Sequence, residues 1–243
     1  MANPIMKLEE RNAEQERVIN QGEVMTINGT LQITAFMGLM LMMSAAFVWQ
    51  KFAMGHTDFG MMLMSIGGIV GFITALIVAF ARVTALVPVY AICEGLLLGG
   101  LSATFESSYP GIVAQALAGT LAAFFSMLLL YRAGMIKCTD KFRMVIFNCA
   151  LAIFLIYLTQ IILGIFNFTI PHIFSNSPIG IGFSIFTVSI ATLYLIIDFD
   201  NIERFAGNVD KHLEWYFGFS LLVTIIWMYL EILHLLMKLQ SRN

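Results

Sequence analysis

Charge is what this chain has least of: Asp, Glu, Lys and Arg make up 12% of its 243 residues, hydrophobic residues 59%, and the mean hydropathy is +0.86. A soluble domain carries apolar stripes of limited width, whereas here whole stretches of about 20 residues are apolar all round, as a bilayer requires. A net charge of -2 offers nothing to a nucleic-acid backbone, so no nucleic-acid partner is expected. Cysteine is nearly as scarce. Cys93, Cys138 and Cys149 form no CxxC, which excludes a disulfide framework or a zinc site and leaves them as small packing residues.

Further absences remove whole chemistries. The histidines, His56, His172, His212 and His234, never form HExxH, so an intramembrane metalloprotease is not expected, and without a P-loop neither is an energised pump. No lysine falls inside the apolar spans drawn below, which leaves a Schiff-base chromophore without an anchor. No resident cofactor and no enzymatic activity are expected. The first 30 residues are polar, so no cleaved signal peptide is expected and the first span must itself direct insertion.

What is present is a succession of hydrophobic runs: Leu31 to Trp49, Phe59 to Ala81, Pro88 to Thr104, Ile112 to Tyr131, Met144 to Phe168, Ile179 to Ile197 and Trp215 to Met237. They predict an all-α, polytopic membrane protein with seven transmembrane helices spanning residues 31–243 behind a polar, cytoplasmic arm of residues 1–30. Pro88 suits a first helical turn, and Arg82 to Val87 make a tight hairpin, so spans two and three are antiparallel neighbours. Ten lysines and arginines fall on the side of the arm and three, Lys51, Lys238 and Arg242, on the other, which puts the N-terminus in the cytoplasm and the C-terminus outside. A re-entrant last span would bring Lys238 and Arg242 inside as well. Gly67 with Gly71, and Gly95 with Gly99, have the spacing that lets helices approach closely. Trp49, Tyr131, Trp215 and Tyr216 fall where interfacial belts are expected.

Arg82, Glu94, Asp198, Asp200, Glu231 and His234 lie within or at the edges of these spans, where a lipid-facing, unpaired charge costs at least about 3 kcal/mol. Arg82, Asp198 and Asp200 fall on the cytoplasmic side, and Glu94 stands about two turns, roughly 9 Å, beyond Pro88. One cluster could hold all four, with an Arg82 to Asp198 ion pair as its cheapest arrangement. A second carboxylate beside that pair would make a proton sensor; the alternative is that Asp198 and Asp200 simply end span six, although acids there oppose the helix macrodipole. Glu231 lies deep in span seven with His234 three residues on, either a structural hydrogen-bonded pair or a functional acid. Glu-x-x-His also occurs in di-iron bundles, but those need a second copy, which this chain lacks.

Several segments look familiar together: EVMTINGTLQITAFMGLMLMMSAAFVW from Glu23 to Trp49, FAR at 80 to 82, VPVYAICEGLLLGGLS at 87 to 102, DFDNIE from Asp198, and EWYFGFSLLVTIIWMYLEILHLL from Glu214. In order and extent they resemble the transmembrane Bax inhibitor motif family, in its bacterial YccA-like branch. The resemblance implies a seven-helix bundle around a central C-terminal helix, in the cytoplasmic (inner) membrane of a bacterium, and a pH-dependent passive leak of calcium ions. It also implies a proton-sensing acid pair, one on span six and one on span seven, latched by an arginine at the end of span two. By motif these are Asp198 or Asp200, Glu231 within Tyr229-Leu230-Glu231, and Arg82 after Phe80 and Ala81. Asp198, Asp200, Glu94 and Glu231 would supply hard oxygen ligands, the first two and Glu231 holding calcium transiently as it passes. Some relatives imply a different role, contact with a membrane protease or another membrane complex through the polar arm. Asp198 and Glu231 are 33 positions apart. Glu231 would therefore stand some 27 Å above a helix starting near Leu213, and the two acids meet only if the first turns of helix seven project into the cytoplasm.

Overall fold

The computed structural model describes residues 24–166, 168, 173 and 175–241; most of the polar arm, and with it Lys7, Arg11 and Arg17, lies outside the described residues, as do His172 and Arg242. Among the described residues seven helices are long and apolar enough to cross a membrane: α1 (Ile27–Ala53), α2 (Thr57–Ala81), α3 (Val87–Ser108), α4 (Ile112–Arg132), α5 (Asp140–Ile165), α6 (Pro178–Phe205) and α7 (Glu214–Gln240). Among the described residues there is no β-strand, only an isolated antiparallel bridge between Val24 and Asp210. Each hydrophobic run became a helix, and most helices extend past the run that marked them. α1 begins at Ile27, within the last residues of the polar arm, because Thr26 is extended (φ -123, ψ 150) and its hydroxyl accepts the Gly29 N–H as an N-cap. α6 continues through Asp198 and Asp200 to Phe205, so the acids do not end the span.

Half of the apolar window of α7 is buried, 39% of that in the α3 and α6 spans, and between 11% and 22% in the other four. The last helix is therefore the one with the largest buried share, while α1, α2, α4 and α5 present apolar side chains such as Met43, Ile69, Leu129 and Phe154 outward. Exposed apolar faces of this extent are tolerable only against lipid, so the chain is an integral membrane protein.

The chain divides into two compact units, Met1–Leu101 with Asp200–Leu222, and Ser102–Phe199 with Val223–Asn243. In the first, small residues set the helix spacing. A Cβ on Gly99 would stand 2.7 Å from Ala45 Cα, and one on Gly95 would run into Ser44 and Leu41, so α1 and α3 touch backbone to backbone. Gly67 and Gly71 likewise face Cys93 and Glu94 across α2 and α3. The turn between α2 and α3 is as tight as the sequence indicates: Arg82 adopts a left-handed conformation (φ 54, ψ 33), and a 3₁₀ turn, Thr84–Leu86, leads into α3. The start of α1 is strapped to the segment joining α6 and α7. Met25 N–H donates to Val209 O and Gly207 N–H to Met25 O, both at 2.8 Å, and Glu214 accepts both the Thr26 N–H (2.8 Å) and its hydroxyl (2.9 Å).

In the second unit Ile146 and Ile153 of α5 pack on Ile190 and Ile197 of α6, with Tyr157 and Trp227 against them. Glu106, near the end of α3, accepts the Gly111 (2.6 Å) and Val113 (3.1 Å) N–H groups at the start of α4, and the hydroxyls of Ser102 and Tyr229 lie 2.6 Å apart. These contacts tie the end of α3 to α4 and to α7.

Candidate functional site

Thr224, Glu231 and Lys238 are spaced seven and seven residues along α7, so they share one face, and about 21 Å of helix rise separates the first from the last. Each meets a polar partner. The Thr224 hydroxyl donates to Asp198 Oδ2 at 2.5 Å; Thr187 Oγ1 lies 2.6 Å from Glu231 Oε2; Lys238 Nζ donates to Ser184 Oγ at 2.8 Å. Asp198, Thr187 and Ser184 all belong to α6, which runs antiparallel. The result is a buried polar column between two apolar helices, with Asp198, Glu231 and Lys238 at successive levels and only 1%, 2% and 5% exposed. Groups this polar persist in a membrane interior only where the protein solvates them.

Glu231 is held from three helices. Tyr157 of α5 places its hydroxyl 2.7 and 2.9 Å from the two carboxyl oxygens, and Trp227, one turn earlier on α7, donates its indole N–H at 3.0 Å. The Thr187 hydroxyl has one hydrogen and two acceptors in range, Glu231 Oε2 and Ser184 O at 3.0 Å. That hydrogen can go to only one of them, so when it goes to Ser184 the Thr187 oxygen faces Glu231 as an acceptor.

Lys238 corrects two expectations. The last helix runs to Gln240 and holds this lysine inside, so a span does contain a lysine, and Lys238 is not one of the solvated charges on the outer side. Its remaining two N–H bonds go to the carbonyls of Gly180 (3.0 Å) and Ile173 (3.1 Å), which fills the donor capacity of an ammonium group. Hydropathy counting stopped at Met237 because Lys238 is charged; the heptad repeat of 224, 231 and 238 is the signal that would have carried the reading further.

The other expected residues are placed as follows. Asp200 is half-buried and stands about 200° around the helix from Asp198, so only Asp198 faces the column. Arg82 is exposed, its guanidinium 5.6 Å from the centre of the Tyr216 ring. Glu94 is half-buried on α3 with Oε2 3.1 Å from the place of a Cβ on Gly71. His234 packs edge-on to Phe105, ring centres 5.8 Å apart, and the hydrogen bonds to Glu231 come from Tyr157, Thr187 and Trp227 instead. Glu231 also stands two turns, about 10 Å, beyond the Thr224 that meets Asp198, so the acids of spans six and seven occupy different levels. Among the described residues no three of His, Cys, Asp and Glu come together as metal ligands. Thr187, Tyr157, Thr224 and Glu214 went unnoticed in the sequence because hydroxyls, and an acid just ahead of a span, carry no charge anomaly.

No curated protein matches the chain. The seven-helix architecture does have a family: residues 3–241 match the model for Bax inhibitor 1 like proteins, nearly the whole length, and the chain belongs to that family.

Proposed function

We propose that this protein is a pH-sensitive pathway for passive cation movement, calcium its principal ion, in a bacterial cytoplasmic membrane, with the N-terminus inside and a place in the YccA-like branch. The observation that carries this reading is the column between α6 and α7, which lines up Asp198, Thr187, Glu231 and Ser184 over most of the thickness of a hydrocarbon core. Carboxylate and hydroxyl oxygens are the ligands a hard cation accepts in exchange for water. The titratable and charged groups around Glu231 are Tyr157 of α5 and His234 and Lys238 of α7, with Asp198 of α6 at the next level. Protonation at Glu231 or Asp198 removes a negative charge from the route. Every member is buried, so the structure corresponds to a closed form, and conduction requires α6 and α7 to separate.

The test is calcium entry into liposomes containing the purified protein, followed with a trapped indicator across a pH series. Entry should depend on pH, and Asp198→Asn and Glu231→Gln should each flatten that dependence. Leak that is independent of pH and unchanged by both substitutions overturns the reading.

A second reading, a regulator acting by contact with a membrane protease or other membrane complex, draws support from the strap that joins Met25 to Gly207 and Val209. Deleting residues 1–23 should then remove a crosslinked partner while liposome flux persists.

A further inference from the structure

The surroundings of Lys238 are built the way a cation site is built. Three oxygens converge on one point: Ser184 Oγ at 2.8 Å, Gly180 O at 3.0 Å and Ile173 O at 3.1 Å. None is charged, and two are backbone carbonyls, the ligand type that replaces an ion's hydration shell in selective pores. A lysine whose purpose was to neutralise an acid would sit against a carboxylate. Lys238 instead makes its hydrogen bonds to neutral oxygens, and although the charge of Glu231 acts on it, its backbone stands two turns, about 10 Å of helix rise, farther on, at the end of the column. Its position in the last turn of α7 also favours positive charge through the helix macrodipole.

We infer that Lys238 is a tethered cation occupying the terminal cation site of the column, and that it excludes free hard cations from that end until it swings away. The inference rests on the column being the ion route. When the ammonium withdraws, the cage of Ser184, Gly180 and Ile173 oxygens becomes the first dehydrating site met by an entering cation, with Glu231 the next. While it stays, a fixed positive charge bars the route, as a single arginine does in pores that reject cations. The methylene stem packs within the protein and gives the tether its fixed length.

Calcium entry into liposomes at one fixed pH tests this. Lys238→Met keeps the length of the stem and deletes the charge, and flux should rise by about tenfold, the scale of a removed electrostatic barrier of about 1.4 kcal/mol. Ser184→Ala removes one cage oxygen, loosens the ammonium and should raise flux less. Glu231→Gln added to Lys238→Met should lower the elevated flux. In a background with Cys93, Cys138 and Cys149 replaced by serine, Lys238→Cys gives a second route that does not depend on methionine being tolerated. Attaching an aminoethyl group through a disulfide restores an ammonium there and should close the pathway again, whereas a neutral methyl adduct should leave it open. Flux of folded Lys238→Met no greater than that of the unmodified protein, or equal block by both adducts, overturns the inference. If Asp198→Asn and Glu231→Gln alter flux while Lys238→Met does not, the tethered cation fails and the column stands; if none of the three alters it, the column itself fails.

Discussion

Thr224 donates its hydroxyl hydrogen to Asp198 at 2.5 Å, so the carboxylate of α6 is met on α7 by a neutral hydroxyl rather than by the acid of the Tyr229-Leu230-Glu231 motif. A neutral hydroxyl meets the acid without the repulsion that two facing carboxylates would create. Removing the hydroxyl takes a donor from a buried acid. Thr224→Val should lower stability by about 1–3 kcal/mol, with Thr224→Ser close to the unmodified protein, as read by thermal unfolding in detergent micelles.

Glu231 should respond badly to its usual conservative replacement. In Glu231→Gln the amide oxygen can still accept from Tyr157 and Trp227 and the NH2 can donate to Thr187 once the Thr187 hydrogen turns to Ser184 O, but a carboxyl that takes donors at both oxygens is reduced to one acceptor oxygen. A loss of about 1–3 kcal/mol is expected, and a double-mutant cycle with Tyr157→Phe should show coupling of about 1 kcal/mol or more. Strict additivity of the two losses would argue that the Tyr157 contact does not act on Glu231.

The helix contacts predict opposite outcomes for one kind of substitution. Gly99→Ala puts a methyl group against the backbone of Ala45, which cannot swing aside as a side chain would, and should cost about 1–3 kcal/mol. Gly182, inside α6, has nothing within 4 Å of an added Cβ, so Gly182→Ala should be neutral or stabilising by about 0.5–1 kcal/mol. Comparing their melting temperatures in one detergent decides the matter.

At the start of α1 the carboxylate of Glu214 fills the space beside Gly29 and takes two hydrogen bonds from Thr26. Glu214→Ala should loosen the cap by about 1–2 kcal/mol and speed amide exchange at Thr26 to Gly29, with little change deep inside α7. Uniformly faster exchange throughout the chain would mean that the contact supports the whole fold and not one helix end.

Hydropathy made the seven helices legible because in a bilayer the length and polarity of a span are set by the solvent, not by its neighbours. The glycine pairs were legible for a related reason: only a missing side chain lets two helices touch along their backbones, and Gly95 and Gly99 do so against Leu41, Ser44 and Ala45. The partners of the charges were not legible. Whether Asp198 meets Thr224 or Glu231 depends on the register of α6 against α7, and the buried residues of those helices, such as Leu195 and Met228, are apolar and interchangeable in a hydropathy scan. Lys238 was missed because a charge was taken to end a span, when its carbonyl and hydroxyl neighbours allow it to lie inside one.

The backbone bonds of Met25 with Gly207 and Val209 have a mechanical meaning. Tension applied to the residues before Val24 would bear on the connection between α6 and α7 as well as on α1. Whatever grips the N-terminal arm therefore holds a lever on the two helices that carry the buried charges.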